Sequence, residues 1–170
     1  LGNSGVDAIA RGLVVNTSIR HVDLSDNRLF ADAFAAMAQV LQRNDTLTSL
    51  NMSDNVAGTA VATLFHSLWR NTSLKTLQLK GTGLTDGIHG PLRKALEHNS
   101  TLTHLDLSFN DLRDTSTLGI AAALAKPDAS LKHLNLKWNK ITAAGAAAIA
   151  AALRGNSTLI MLALSWNSLA

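Results

Sequence analysis

The chain predicts an α/β solenoid, a right-handed coil of strand–helix units with a parallel sheet on the concave side and helices on the convex side. Three observations lead there. One eleven-residue pattern recurs at a nearly fixed period. Within it, apolar and polar residues alternate as in a half-buried strand, and between its copies apolar and small residues recur at helical spacing.

The pattern, L-x-x-L-x-L-x-x-N-x-L, is matched by IRHVDLSDNRL, LTSLNMSDNVA, LKTLQLKGTGL, LTHLDLSFNDL, LKHLNLKWNKI and LIMLALSWNSL. These copies open at Ile19, Leu47, Leu74, Leu102, Leu131 and Leu159. In LDL, LNL and LQL the outer residues are apolar and the middle one polar, which predicts short strands with one buried face. The segments between them predict helices. Gly145, Ala146, Ile149, Ala150 and Leu153 form one stripe, repeated by Gly5, Val6, Ile9, Ala10 and Leu13 and by Ala60, Val61, Leu64, Phe65 and Leu68. No single unit closes a core, but stacked units do, through right-handed crossovers.

After each strand, Asn27, Asn55, Asn110, Asn139 and Asn167 hold one slot, where a side-chain amide can satisfy turn backbone that has lost its strand partners. A buried asparagine ladder is expected. The triplets beginning at Asn16, Asn44, Asn71, Asn99 and Asn156 read N-x-S/T, a glycosylation signal in a secreted chain. Their fixed place at each helix end instead predicts helix termination and local turn bonding.

On these motifs the chain resembles leucine-rich repeat proteins of the ribonuclease-inhibitor-like class, over essentially its whole length. The resemblance implies one domain, 1–170, of about six repeats, and binding of another protein by the concave sheet or its rim. It does not select among the inhibitors, GTPase activators, innate sensors and cytoskeletal or axonemal components of that class. Leu1 aligns with Leu29, and Leu169 and Ala170 close the chain in the same slot, with no polar capping unit. The expectation is a piece of a longer array, or ends that associate.

Composition narrows the setting. Forty-six per cent hydrophobic residues in short groups fit a globular core and give no membrane span or signal leader. With no cysteine, disulfides and thiolate metal sites are excluded, and a cytoplasmic location is expected. A net charge of +3 disfavours nucleic acid as the partner. The charge is uneven: from Thr115 onward Lys126, Lys132, Lys137, Lys140 and Arg154 face one acid, Asp128, whereas residues 1–55 hold six aspartates against four arginines.

Strand alternation makes the third, fifth and seventh pattern positions the concave surface, with the eighth leaning over the rim. The third column is His21, Ser49, Thr76, His104, His133, Met161, and the fifth Asp23, Asn51, Gln78, Asp106, Asn135, Ala163. The seventh is Ser25, Ser53, Lys80, Ser108, Lys137, Ser165. The eighth is Asp26, Asp54, Gly81, Phe109, Trp138, Trp166. Three aromatics in one rim column, beside Lys137 and Lys140, match protein-interface chemistry. The competing reading is that they lie flat and shield the asparagine ladder. His104 and His133 with Asp106 raise a zinc site, but no third convergent ligand or outer shell is evident, so solvated histidines on a polar sheet are the expectation, with no metal or cofactor.

The middle departs from the pattern. Thr82 replaces the ladder asparagine, Pro91 interrupts or starts a helix, Arg93 takes an inner slot, and Pro127 falls at a helix-ending slot. Trp69 is expected on the convex side in helix packing. No nucleophile motif or phosphate loop appears; GTGLTDG lacks the lysine. The expected function is therefore a non-catalytic interaction scaffold that uses Phe109, Trp138, Trp166, His104, His133, Asp106 and Lys137. Alternatives are a GTPase activator resembling the Ran type, with Asn51, Arg20 and Arg28 available, and a cytoskeletal or axonemal building block.

Overall fold

The computed structural model describes residues 2–169; Leu1 and Ala170, which enter the expectation about the chain's ends, lie outside the described residues. Six helices and six strands alternate: α1 Gly2–Val15, β1 His21–Asp23, α2 Ala31–Arg43, β2 Ser49–Asn51, α3 Val61–Ser67, β3 Thr76–Gln78, α4 His89–His98, β4 His104–Asp106, α5 Asp114–Leu124, β5 His133–Asn135, α6 Ala143–Leu153 and β6 Met161–Ala163. Short 3₁₀ turns, Gly58–Ala60 and Asp86–Ile88, lead into α3 and α4. The strands form one parallel sheet in sequence order. Its register aligns Ser49, Thr76, His104, His133 and Met161 in one column and Asn51, Gln78, Asp106, Asn135 and Ala163 in another. The α/β solenoid and its columns are those the pattern predicts.

Leu50, Leu77, Leu105 and Leu134 at the fourth position, and Met52, Leu79, Leu107 and Leu136 at the sixth, are buried. Each such side chain contributes about 1.5–3 kcal/mol relative to exposure. Interior helices follow the expected stripe: Val61, Leu64, Phe65 and Leu68 are buried. The outermost helices do not. In α6 the buried positions are Gly145, Ile149 and Ala152, while Leu153 and Ala150 are exposed, and in α1 Ile9 is exposed. Each of these helices packs against one neighbouring helix, so half of its stripe has nothing to meet.

The asparagine ladder is present and most buried in the interior. Asn110 Nδ2 donates to the Leu79, Leu107 and Ser108 carbonyls, and its Oδ1 accepts from the Thr82 and Leu84 backbone N–H groups. Asn55 and Asn139 are held similarly, and Asn27 and Asn167 at the two ends are half-buried. Thr82 keeps part of the role, its hydroxyl donating to the Leu79 carbonyl at 2.8 Å.

A second ladder lies at the helix ends. Asn44, Asn71 and Asn99 are buried, with Nδ2 donating to the Leu13, Leu41 and Leu68 carbonyls of the preceding helix and Oδ1 accepting from the turn backbone. Those amides are already engaged, as the structural reading of N-x-S/T requires. At the Pro127 irregularity α5 stops at Leu124, and the Lys126 ammonium and Ser130 hydroxyl reach the Glu97 and Asn99 carbonyls instead.

Pro91 lies in the first turn of α4, where its missing N–H costs little, so it starts this helix rather than interrupting it. One expectation about the middle needs correction. Arg93 is not inward: its side chain is 55 % exposed and pairs with Glu97 at 2.7 Å, one helical turn on. Its stem leans on α5 at Gly119, where an added Cβ would lie 3.1 Å from Arg93 Cβ. Trp69 lies on the helix side between His66 and His98, with centroids at 4.4 and 5.4 Å.

Helix capping crosses repeats. Asp86 Oδ1 accepts from the Arg113 backbone N–H at 2.7 Å ahead of α5. Asp114 Oδ1 accepts from Thr142 and Gly145 ahead of and within α6, and Oδ2 from the Thr142 hydroxyl. These bonds occupy first-turn donors that a helix cannot satisfy itself. The Thr142 hydroxyl, then its N–H, hold the Asp114 carboxyl below its ordinary value of 3.8. Asp114→Ala should cost about 1 kcal/mol in urea unfolding at neutral pH. A lowered carboxylate pKa stabilises fully above the ordinary value and loses that contribution as pH falls through the folded one. The parent–variant gap should therefore close in acid below about pH 4, and a gap undiminished there would contradict the assignment.

Candidate protein-interaction surface

The eighth pattern position has a backbone requirement that the alternation rule does not reveal. Asp26, Asp54, Gly81, Phe109, Trp138 and Trp166 all have positive φ, between 49° and 62°. Here the chain leaves the strand through a left-handed residue, which aspartate and glycine tolerate and bulky side chains disfavour. The signal was available in the Asp, Asp, Gly half of the column. Phe109, Trp138 and Trp166 adopt the strained conformation and project to solvent, 48, 42 and 67 % exposed. Their rings stack: Phe109 and Trp138 at 5.2 Å and 17°, Trp138 and Trp166 at 4.3 Å and 7°. Lys80 Nζ lies 5.2 Å from the Phe109 centroid and pairs with Asp54, and Lys140 pairs with Asp111 at 2.7 Å.

The ladder beneath has the same burial with or without an aromatic above it. Asn55, next to Asp54, is 4 % exposed; Asn110 and Asn139, next to Phe109 and Trp138, are 7 and 8 % exposed.

The concave face carries a second ring stack on two of the same strands. His104 and His133 lie 4.2 Å apart at 9°. The Thr103 hydroxyl is 2.8 Å from His104 Nδ1. Burial, then His133 and Lys132, lower the His104 pKa below 6.5, which favours a neutral ring at pH 7. Asp106 lies below the pair, Oδ1 accepting from the Ser108 N–H and hydroxyl and Oδ2 from Asn135 Nδ2. His104, His133, Asp106 and Asn135, together with Thr76, Gln78 and Met161, line an open hollow of about 190 Å³. Among the described residues no group of three or more His, Asp or Glu side chains could hold a metal ion.

The seventh position is only partly a surface. Lys137 and Ser165 are exposed, but Ser53 and Ser108 are buried, because the chain is already turning and Ser108 folds back onto Asp106. Arg20 and Arg28 lie before and after β1, at opposite ends of the strand. Among the described residues, no helix is long and apolar enough to cross a membrane.

A model of the leucine-rich repeat matches residues 15–33, 70–88, 98–121 and 128–150, half of the chain. The chain belongs to the leucine-rich repeat family. Among its relatives, the mouse (Mus musculus) NACHT, LRR and PYD domains-containing protein 4E is 33 % identical over 153 residues, covering 89 % of this chain and 16 % of the relative. The pig (Sus scrofa) ribonuclease inhibitor is 29 % identical over 172 aligned residues, 99 % of this chain and 38 % of the inhibitor. This leucine-rich repeat chain thus spans well under half of either relative. Among solved structures, leiomodin-1 actin-binding site 2 superposes with a TM-score of 0.58 at 26 % identity, over 62 % of this chain and 63 % of that one.

Proposed function

We propose that the chain is a non-catalytic interaction module whose protein partner docks across β4, β5 and β6. Phe109, Trp138 and Trp166 serve as apolar anchors, and His104, His133, Asp106 and Lys137 supply polar contacts. One observation carries the reading: three large rings stand exposed in a slot where the first three repeats place Asp26, Asp54 and Gly81. Exposed aromatics in a left-handed backbone lower stability, each by about 1–2 kcal/mol through the backbone alone. Their competing role as a roof over the ladder has little to do, since Asn55 is as buried without one. Stacked exposed aromatics are the side chains that dominate binding energy at protein interfaces.

The test compares proteins captured from lysate by the parent chain and by Trp138→Gly/Trp166→Gly, glycine being the native residue at Gly81 in the same conformation. Loss of captured proteins with an unchanged circular dichroism spectrum is the expected result. An unchanged set of captured proteins would return the rings to a structural role.

The likeness to leiomodin-1 actin-binding site 2 favours a narrower second reading, a cytoskeletal partner. Co-sedimentation with actin filaments that is lost in the same variant would support it, and no co-sedimentation would remove it.

A further inference from the structure

We infer that the occupant of this face is an acidic segment of another protein, lying between the two ring stacks. The inference rests on the docking face proposed above and adds the partner's chemistry. The stacks occupy the third and eighth pattern positions, five residues apart, one on the strands and the other at their left-handed exits. The open sheet between and beside them is bordered by Lys75, Lys132 and Lys137, all exposed.

Among the described residues these three lysines form no ion pair, while Lys80 and Lys140 are matched by Asp54 and Asp111. Lys132 is exposed and directly precedes His133 in the chain, and its charge is among the causes of the lowered His104 pKa. Asp106, the one acid among the residues lining the hollow, is held by Ser108 and Asn135 and is outnumbered by the three lysines. The surface therefore presents unpaired cations, the imidazole edges of His104 and His133, and the two rim indoles. Its complement supplies carboxylates for the lysines and an apolar side chain for the rings. Charge complementarity of this kind sets partner choice and association rate. The rim rings stack on one another rather than standing apart, so they do not offer the separate faces on which successive bases of single-stranded nucleic acid stack.

The test pans a random-peptide phage library against the folded chain and measures selected synthetic peptides against three proteins: the parent, Lys132→Glu/Lys137→Glu and Trp138→Gly/Trp166→Gly. The lysines are exposed, so charge reversal should leave the fold intact, which circular dichroism checks. The expected outcome is enrichment of peptides with net negative charge whose affinity falls at least about tenfold on charge reversal and declines with added salt. Enrichment of neutral or basic sequences, no enrichment, or acidic peptides indifferent to the charge reversal would each overturn the inference. A thymidine oligonucleotide that binds the parent more tightly than the selected peptides would overturn it in favour of nucleic acid. Neutral peptides lost only in Trp138→Gly/Trp166→Gly would leave the rim standing as an interface while removing the acidic partner. Acidic peptides lost only on charge reversal would do the opposite.

Discussion

Asn110→Ala should destabilise the chain by about 3–5 kcal/mol, enough to unfold a marginal domain at ambient temperature. The side chain makes five hydrogen bonds inside the core, three to the carbonyls of Leu79, Leu107 and Ser108 and two from the N–H groups of Thr82 and Leu84. Alanine leaves those backbone groups without the amide in a space closed to water, and each unsatisfied buried group costs about 1–3 kcal/mol. The figure lies below the simple sum because several carbonyls keep another partner, as Leu79 keeps Thr82. Position in the stack matters. Asn167, half-buried on the last rung, donates to Leu136 and Leu164 and accepts from Ile141, so Asn167→Ala should cost about 1–2 kcal/mol. Urea unfolding of both variants checks the order, and equal losses would argue against a ladder whose strength depends on the neighbours on either side.

The second large effect is on binding, with little effect on stability. Removing Trp138 and Trp166 together should weaken partner affinity by about a hundredfold or more, the loss of two clustered anchors. The unfolding free energy of Trp138→Gly/Trp166→Gly should stay within about 1 kcal/mol of the parent, because two opposing terms are of similar size. Glycine relieves about 1–2 kcal/mol of left-handed strain at each site. Against this stand the lost ring stacking, about 0.5–1.5 kcal/mol per pair, and the entropy of a more flexible unfolded chain. A cavity cost does not arise, since both side chains already face solvent.

The column geometry of this candidate site was legible in the sequence. The strict period of two within each strand assigned His104, Asp106 and His133 to the concave face, and the fixed offset from Leu102, Leu131 and Leu159 put Phe109, Trp138 and Trp166 in one column. Parallel in-register pairing makes such columns real neighbours. The features that were missed have other physical origins. The left-handed slot is a backbone property, and alternation carries no information about φ once the chain leaves the strand. Ser53 and Ser108 are buried for the same reason. The caps from Asp86 and Asp114 span 27 to 31 residues, whereas capping rules compare residues a few positions apart. Arg93 was misplaced because slot identity was carried from regular repeats onto a helix entered through a 3₁₀ turn, Asp86–Ile88. The exposed halves of α1 and α6 depend on how many neighbours a helix has, which its own stripe does not encode.

The most direct test of the central claim is a calorimetric titration of one captured partner into the parent chain and into Trp138→Gly/Trp166→Gly. An interface role for the rim predicts a dissociation constant raised at least about a hundredfold in the variant, equivalent to about 2.7 kcal/mol. An unchanged dissociation constant would contradict it and leave the stacked rings as local cover at the strand exits.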